Sequence, residues 1–590
     1  MIDNLLLASK CLPVLSLSEF QNIRELPDSI ENLKHLCCLN LNYTLVEQLP
    51  DSVCTLYNLQ TMLLRCCMSL TRLPSNMWRL VNLCHLDISG TSLKEMSLQM
   101  GQLRNLEKLN TFVVGKHNGC SIKELGELQH LYGALSILNL QNVQHARDAT
   151  EVMLKDKQYL AELVFRWSHG NDNSENERIV LEQLHPHTKL ESLTIENYGG
   201  TRFPNWLGDC SFSNMVSIRL VNCKYCFSLP PLGHLPVLKL LFVQGFCAMS
   251  HVDAEFYGNG SFAIKPFISL EVLSFTDMRE WQDWFLFEGE SEGGVFSSLR
   301  ELSIINCPKL SKDLPNQLSS LTTLEIRHCQ QLVTSLPKTP ALHKLHLSDC
   351  DKVLLKELPP RLRWLEVGGC QIPQSFVDLM TSLPTVTLKS LEIHGTIQLP
   401  KGHYYPSLER LLIWDYCDSL WSFPLEFYPK LKSLYVNKSE NLESLLASKE
   451  SHWDLTSLTN LQIWDCTNFV SFPSGGLCAP NLTKICISIC NKLKSLPKGT
   501  CTLLPSLVKM QLIKCLELES FPEGGLPSNL VSLQIINYDK LFPVAWSGDF
   551  KAFTLLENSQ SLVSAKKWSP FQRRHCCLPL LLISTFLLQI

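Results

Sequence analysis

The sequence predicts an α/β repeat: a curved solenoid with short parallel strands on its concave face and loops and short helical turns on its convex face. Three observations predict it. Leucine returns in a fixed L-x-x-L-x-L frame, the frame recurs at near-constant spacing, and cysteine falls at one fixed place after it. The frame reads Leu36-Cys-Cys-Leu39-Asn-Leu41, Leu83-Cys-His-Leu86-Asp-Ile88, Leu299-Arg-Glu-Leu302-Ser-Ile304 and Leu458-Thr-Asn-Leu461-Gln-Ile463. Starts at Leu12, Leu36, Leu59, Leu83 and Leu106 differ by 24, 23, 24 and 23 residues. Starts at Leu408, Leu431, Leu458, Leu482, Leu507 and Leu530 differ by 23, 27, 24, 25 and 23. Such a frame held over most of a chain is a leucine-rich-repeat solenoid.

The alternation dictates the strand. In each frame the L-x-L core sends apolar residues inward and variable ones outward. One unit cannot bury its own apolar face, so units must stack into a parallel sheet. About 22 units at about 4.8 Å per strand give an inner arc on the order of 100 Å, far more surface than a small-molecule pocket requires.

With the first leucine as position one, Cys67, Cys223, Cys307, Cys329, Cys350, Cys370, Cys466, Cys490 and Cys515 all fall at position nine. There the chain turns inward, and a buried thiol serves as a small hydrophobe with a weak donor. A second punctuation is an apolar residue followed by proline, as in Leu26-Pro27, Leu49-Pro50, Phe423-Pro424 and Leu496-Pro497. Proline fixes φ and removes a donor, which suits a convex return of loops and turns better than a second sheet.

The predicted organisation is an N-terminal segment without a cap (1–11), repeats (12–106), a less regular stretch (107–159), repeats again (160–540) and a divergent tail (541–590). Within the irregular stretch, Ala146 to Lys157 has helical spacing. Asn171–Glu177 and Glu288–Gly294 read as exposed polar loops. An uncapped start predicts further protein upstream. The apolar run Leu578–Ile590 is 13 residues, short of the ~20 that cross a bilayer, so no stable membrane span is expected.

Composition narrows the function. Lys+Arg number 52 against Asp+Glu 56, a net charge of -4, which gives no reason to expect nucleic acid as a partner. The N-terminus has no basic region before its short apolar run, so it is a poor secretory signal. A cytoplasmic chain keeps its 25 cysteines reduced. Cys223-Lys-Tyr-Cys226 has zinc-ligand spacing, with His185 and His187 upstream, but structural zinc needs a second close pair, and Cys223 is already a position-nine residue. No metal or other cofactor is expected. Ser, His and Asp recur at repeat positions without a catalytic constellation, so no enzyme is expected.

The candidate site is the concave face. Trp414-Asp415 and Trp464-Asp465 both occupy positions seven and eight, two repeats apart. Arg166-Trp167, Arg327-His328 and the position-three Trp364 also point outward by register. Exposed Trp and Arg are favoured interface anchors.

Local motifs carry a family resemblance. Glu25-Leu-Pro-Asp-Ser-Ile30, Leu49-Pro-Asp-Ser-Val53, Phe112-Val-Val-Gly115, Ile122-Lys-Glu-Leu-Gly-Glu-Leu128, Tyr198-Gly-Gly-Thr-Arg-Phe-Pro-Asn-Trp-Leu207 and Ser520-Phe-Pro-Glu-Gly-Gly-Leu-Pro527 resemble the repeat region of coiled-coil-class plant nucleotide-binding leucine-rich-repeat disease-resistance proteins, RPP13-like type. The resemblance covers about residues 10–540. It implies a plant intracellular immune receptor's sensing part, which recognises a pathogen effector or a guarded host protein and restrains a nucleotide-binding domain in cis or trans. The chain has no G-x-x-x-x-G-K-[ST] phosphate loop, so nucleotide binding is not assigned to it, and a truncated receptor or fragment is the expectation. Two other readings are weaker. A receptor ectodomain would show a secretion signal and G-x-I-P in each repeat, and a ubiquitin-ligase adaptor would show an F-box-like helical segment.

Overall fold

The computed structural model describes residues 10–117, 119–168, 174–258, 265–285, 294–350, 352–353, 358–369, 387–395, 402–415, 421–446, 455–519 and 525–536, and the backbone of 552–556. The chain forms two compact units, Met1–Leu342 with Asp349–Leu354, and His343–Ser348 with Leu355–Ile590. Cys370, Cys576, Cys577, Leu578–Ile590, residues 171–173 and residues 288–293 lie outside the described residues.

The first unit begins with a five-stranded parallel sheet. Its strands are β1 (Val14–Ser16), β2 (Cys38–Asn40), β3 (Thr61–Leu63), β4 (His85–Asp87) and β5 (Lys108–Leu109). A second parallel sheet follows through β6 (Thr111–Val113), β7 (Gly133–Leu138), β8 (Leu160–Arg166), β9 (Ser192–Glu196) and β10 (Ser217–Val221). It continues with β11 (Leu240–Gln244), β13 (Val272–Thr276), β15 (Glu301–Ile305) and β16 (Thr323–Arg327). The intervening β12 (His251–Val252) and β14 (Asp283–Trp284) pair with each other.

In the second unit a parallel sheet runs through β17 (Lys344–Ser348), β18 (Trp364–Gly368), β19 (Ser390–His394), β20 (Arg410–Trp414) and β22 (Ser433–Asn437). It ends with β24 (Asn460–Trp464), β25 (Lys484–Ser488), β26 (Lys509–Ile513), β27 (Ser532–Ile536) and β28 (Ala552–Leu556). Here β21 (Ser422–Pro424) pairs with β23 (Ser444–Leu446). The strand β28 joins β27 in parallel within the stretch expected to be divergent.

The strands pair without slippage from β8 through β16. Leu163, Leu193, Ile218, Leu241, Leu273, Leu302 and Leu324 stand in one line across the sheet, all buried. Phe165, Ile195, Leu220, Val243, Phe275, Ile304 and Ile326 form a second buried line. A slip of one residue would turn both lines outward, so the L-x-L alternation specifies the register.

Position eight closes each strand. Asn197, Asn222, Gly245, Asp277, Asn306, His328, Asp415, Lys438, Asp465, Ile489 and Lys514 all have φ between 51° and 74°, the left-handed region. The kink lets the N–H at this position extend the ladder, as from Asn197 to the Val221 carbonyl at 2.8 Å and from Asp465 to the Ser488 carbonyl at 2.7 Å. Position nine then turns in. All its described cysteines are buried. The thiols of Cys67, Cys223, Cys329, Cys350, Cys490 and Cys515 face the position-six carbonyl of the preceding repeat, at 3.0 to 3.9 Å. Burial pushes the Cys515 thiol up to about 11 and that of Cys466 up to about 12.

A third tie was not expected. In several repeats the residue before the first leucine is Asn or Ser, and its side chain donates to a carbonyl of the preceding repeat. Asn58, Asn82, Asn105, Asn481 and Asn529 do so at 2.7 to 2.8 Å, as do Ser269, Ser298 and Ser320 at 2.6 to 2.7 Å.

The return side departs from expectation in two ways. Leu-Pro-Asp-Ser does open 3-10 turns, Asp28–Asn32 and Asp51–Thr55, with Pro27 and Pro50 as the flanking residues. Phe423-Pro424, however, lies in a strand, because the neighbouring return loop is extended and offers β23 as a partner. The helix expected over residues 146–157 is divided into α1 (Ala146–Thr150) and a 3-10 turn, Leu154–Asp156. The supposed polar loop around residue 174 instead opens α2 (Ser174–Gln183). Its Glu177 is buried, and Oε2 accepts the Gly199 N–H at 2.6 Å.

Candidate protein-binding face

Positions three, five and seven alternate with the buried leucines, so each strand offers up to three side chains on the open face of its sheet. In the second unit position seven runs Ser348, Gly368, His394, Trp414, Asn437, Trp464, Ser488 along the registered strands. Trp414 and Trp464 therefore flank Asn437, roughly 10 Å apart at about 4.8 Å per strand. Trp464 is 40% exposed, and its Nε1 donates to Cys486 Sγ at 3.3 Å. Trp414 is half-buried and stacks on the His394 ring, centroids 6.0 Å apart and planes 5° from parallel. Trp364 is half-buried too, with the His346 ring at 5.8 Å and the Lys344 ammonium 5.6 Å from its ring centroid.

Two tryptophan–aspartate pairs share these positions for a backbone reason. Asp415 and Asp465 sit in the left-handed turn at φ 51° and 52°, where Asp and Asn are tolerated better than most residues. Their recurrence thus follows from the turn, and Asp415 Oδ1 is met by Lys438 Nζ at 3.4 Å.

Trp167 is a correction. The sequence frame turned it outward, yet it is 1% exposed, with the Tyr198 ring 5.2 Å away. No left-handed kink occurs at this position eight, just past the end of β8, and the indole enters the core. Arg166 does lie on the open face, where its Nε donates to Glu196 Oε2 on β9. Arg327 and His328 lie in the first unit. Arg327 Nε donates to Glu325 Oε1 at 2.6 Å, and His328 Nδ1 is 2.7 Å from Asp349 Oδ2.

Several open-face residues escaped the sequence reading. His346 Nδ1 lies 2.6 Å from Glu366 Oε2, and His394 Nε2 lies 3.3 Å from Glu392 Oε1 and 3.9 Å from Glu366 Oε1. Arg410 stands 5.6 Å over the Tyr435 ring, and in the first unit Arg219 stands 4.2 Å over Phe242. At the sheet margin Glu409 is held between Lys432 and Lys389 at 2.8 and 2.9 Å, and the Lys432 hydrogen bond first, then that of Lys389, pull its carboxyl down to about 2. None of these side chains makes a motif along the chain. They meet only because equal positions of successive repeats are neighbours.

Among the described residues no group of three His, Cys, Asp or Glu side chains is placed to hold a metal, and no helix is long and apolar enough to cross a membrane. Cys223 and Cys226 are both buried, their thiols directed at the Ile195 and Gly200 carbonyls.

Residues 122–246 match the family model for R13L1/DRL21 leucine-rich repeats. A disease resistance RPP13-like protein 1 of Arabidopsis thaliana is 35% identical over 499 residues, covering 82% of this chain and 41% of that protein. The chain is the leucine-rich-repeat region of an RPP13-like disease-resistance protein. Disease resistance protein RGA2 of Solanum bulbocastanum is 35% identical over 273 residues, 44% of this chain and 27% of its own length. The chain thus spans less than half the length of these relatives. Among solved structures, the circular leucine-rich-repeat protein CroV588 aligns over 90% of this chain and 70% of its own, at 14% identity and TM-score 0.49.

Proposed function

We infer that the RPP13-like repeats bind a protein partner in plant defence on the open face of the strand sheets, without catalysing a reaction. The partner is a pathogen effector or a guarded host protein, met in the cytoplasm. In a receptor of this type the repeats also restrain a nucleotide-binding domain, in cis or in trans.

The observation that supports this best is the row containing Trp414 and Trp464. The fold spends core-sized side chains on a face that repeat packing does not require, and Trp464 keeps 40% of its surface exposed. Large rigid rings that lose water on association are what protein interfaces favour as anchors. Leucine-rich repeats are in general interaction modules with extended binding surfaces.

The test is a screen of secreted pathogen proteins and host defence proteins against the purified chain, followed by affinity measurement on the W414A/W464A double variant. The expected result is a loss of at least about tenfold in affinity, with the thermal midpoint within about 2 °C of the parent. Unchanged affinity overturns the assignment of this face.

A further inference from the structure

We propose that the stretch of open face formed by β18, β19 and β20 is a pocket for one basic side chain, arginine or lysine, presented by the protein partner. The inference rests on the reading of this face as a protein-binding surface and names what it recognises.

The floor of the pocket is acidic. Glu366 and Glu392 are direct register partners on adjacent strands, and Glu366 is only 7% exposed. Two carboxylates side by side in a half-dry setting repel each other and lose hydration, a cost relieved when a cation comes between them. The ring of His394 stands between the two, but its Nε2, although near both carboxylates, is outside hydrogen-bonding geometry to either.

The walls are aromatic. Trp414 lies against His394 on one flank, and Trp364 lies against His346 on the other. The Trp364 ring already receives one cation, the Lys344 ammonium 5.6 Å from its centroid, so these indole faces are open to positive charge.

The unmet hydrogen bonds identify the rest of the ligand. Ser390 shares a face with Glu392 and opposes Trp364 in register. It is 9% exposed, and its buried Oγ has no partner. The Nε1 donors of Trp364 and Trp414 are likewise buried without an acceptor. A buried polar group without a partner costs free energy that a ligand can recover. A guanidinium or ammonium donates to Glu392 and to Ser390 Oγ, and peptide carbonyls accept from the two indoles. A basic residue carried on a polypeptide supplies both kinds of group. An anion would meet the carboxylates, and a bare cation would leave the indole donors unmatched.

The experiment uses the full chain labelled with 15N at tryptophan, the indole signals of Trp364 and Trp414 being assigned with W364F and W414F. The probes are N-acetyl-arginine amide and its neutral analogue N-acetyl-citrulline amide, titrated in the millimolar range. Arginine amide should move both signals and citrulline amide should not. Glu392→Gln, which keeps the size of the side chain, should weaken the arginine response about tenfold, with Ser390→Ala giving a smaller loss and thermal midpoints confirming the fold. If arginine and citrulline act alike, if neither binds, or if E392Q responds as the parent does, the proposal is overturned. Partner affinity of W464A alone tests the broader reading separately, because Trp464 lies outside this pocket whereas Trp414 is one of its walls.

Discussion

The two units share one turn and differ in some of the residues that fill it. In the first, position eight is filled largely by Asn, Asp and Gly, and the side chains form their own rungs: Asn197 Nδ2 donates to the Trp167 carbonyl, Asn222 to Asn197, and Asn306 to Asp277. In the second, Gly369, Gly395, Asp415 and Asp465 fill the same turn, but it is also imposed on Lys438, Ile489 and Lys514. The backbone requirement is identical, since the N–H of Ile489 meets the Ile513 carbonyl at 2.8 Å just as that of Asn197 meets Val221. A β-branched residue at positive φ is strained. The open faces differ in parallel: the first unit shows ion pairs such as Arg166–Glu196, the second shows indoles and half-buried carboxylates. Stability and surface chemistry are thus set at separate positions.

The largest expected effect breaks the comparison between equal-looking tryptophans. Trp167→Ala in the first unit should cost about 3–5 kcal/mol, because it empties the core beside Tyr198, whereas Trp464→Ala in the second should stay within about 0.5 kcal/mol. Urea unfolding of both variants checks this, and similar losses would show that Trp464 is part of the packing.

Alkali should reach the second unit through its thiols. Cys466 and Cys515 carry folded values of about 12 and 11 against an ordinary value of 9.0. A raised folded value means stability that is complete below pH 9 and lost as pH rises towards 11–12. The expected loss by pH 11 is about 5 kcal/mol for the two thiols together, measured as the fall in thermal midpoint, and C466A/C515A should flatten the slope.

Glu177→Gln should cost about 1–3 kcal/mol, because it weakens a buried charge-assisted bond to Gly199 that pins α2. Circular dichroism melts of the variant decide it, with no change expected in the second unit. The smallest effect sharpens the comparison directly. Ile489→Asn should raise stability by about 0.5–1 kcal/mol by relieving the strained turn, and a loss instead would mean that Ile489 packs usefully.

The frame of leucines was legible in the sequence because burial repeats with the strand period. The position-nine thiols were legible because a single slot recurs. Trp167 was not, because its fate depends on whether position eight kinks, which the frame does not state, and on a ring contact with Tyr198 one repeat away. Glu177 was hidden in a polar run that reads as solvent-exposed until the Gly199 N–H is seen above it. The Asn and Ser before the first leucine did leave a signal, in Asn58-Leu59, Asn82-Leu83, Asn105-Leu106, Asn481-Leu482 and Asn529-Leu530, visible once the position ahead of the frame is compared across repeats. The cluster of His346, Glu366, Glu392 and His394 left none, since its members are about 20 residues or more apart except for the pair Glu392 and His394.

Strands that pair like with like have a consequence for how such a molecule can change. Where position four meets position four, cutting out one whole repeat within a sheet leaves ends that match, and inserting one adds a rung that fits. A gene can therefore gain or lose rungs by copying errors between its own similar segments, and each event brings together outward residues that were formerly one rung apart. New combinations on the surface arise in this way without any new solution to the folding problem.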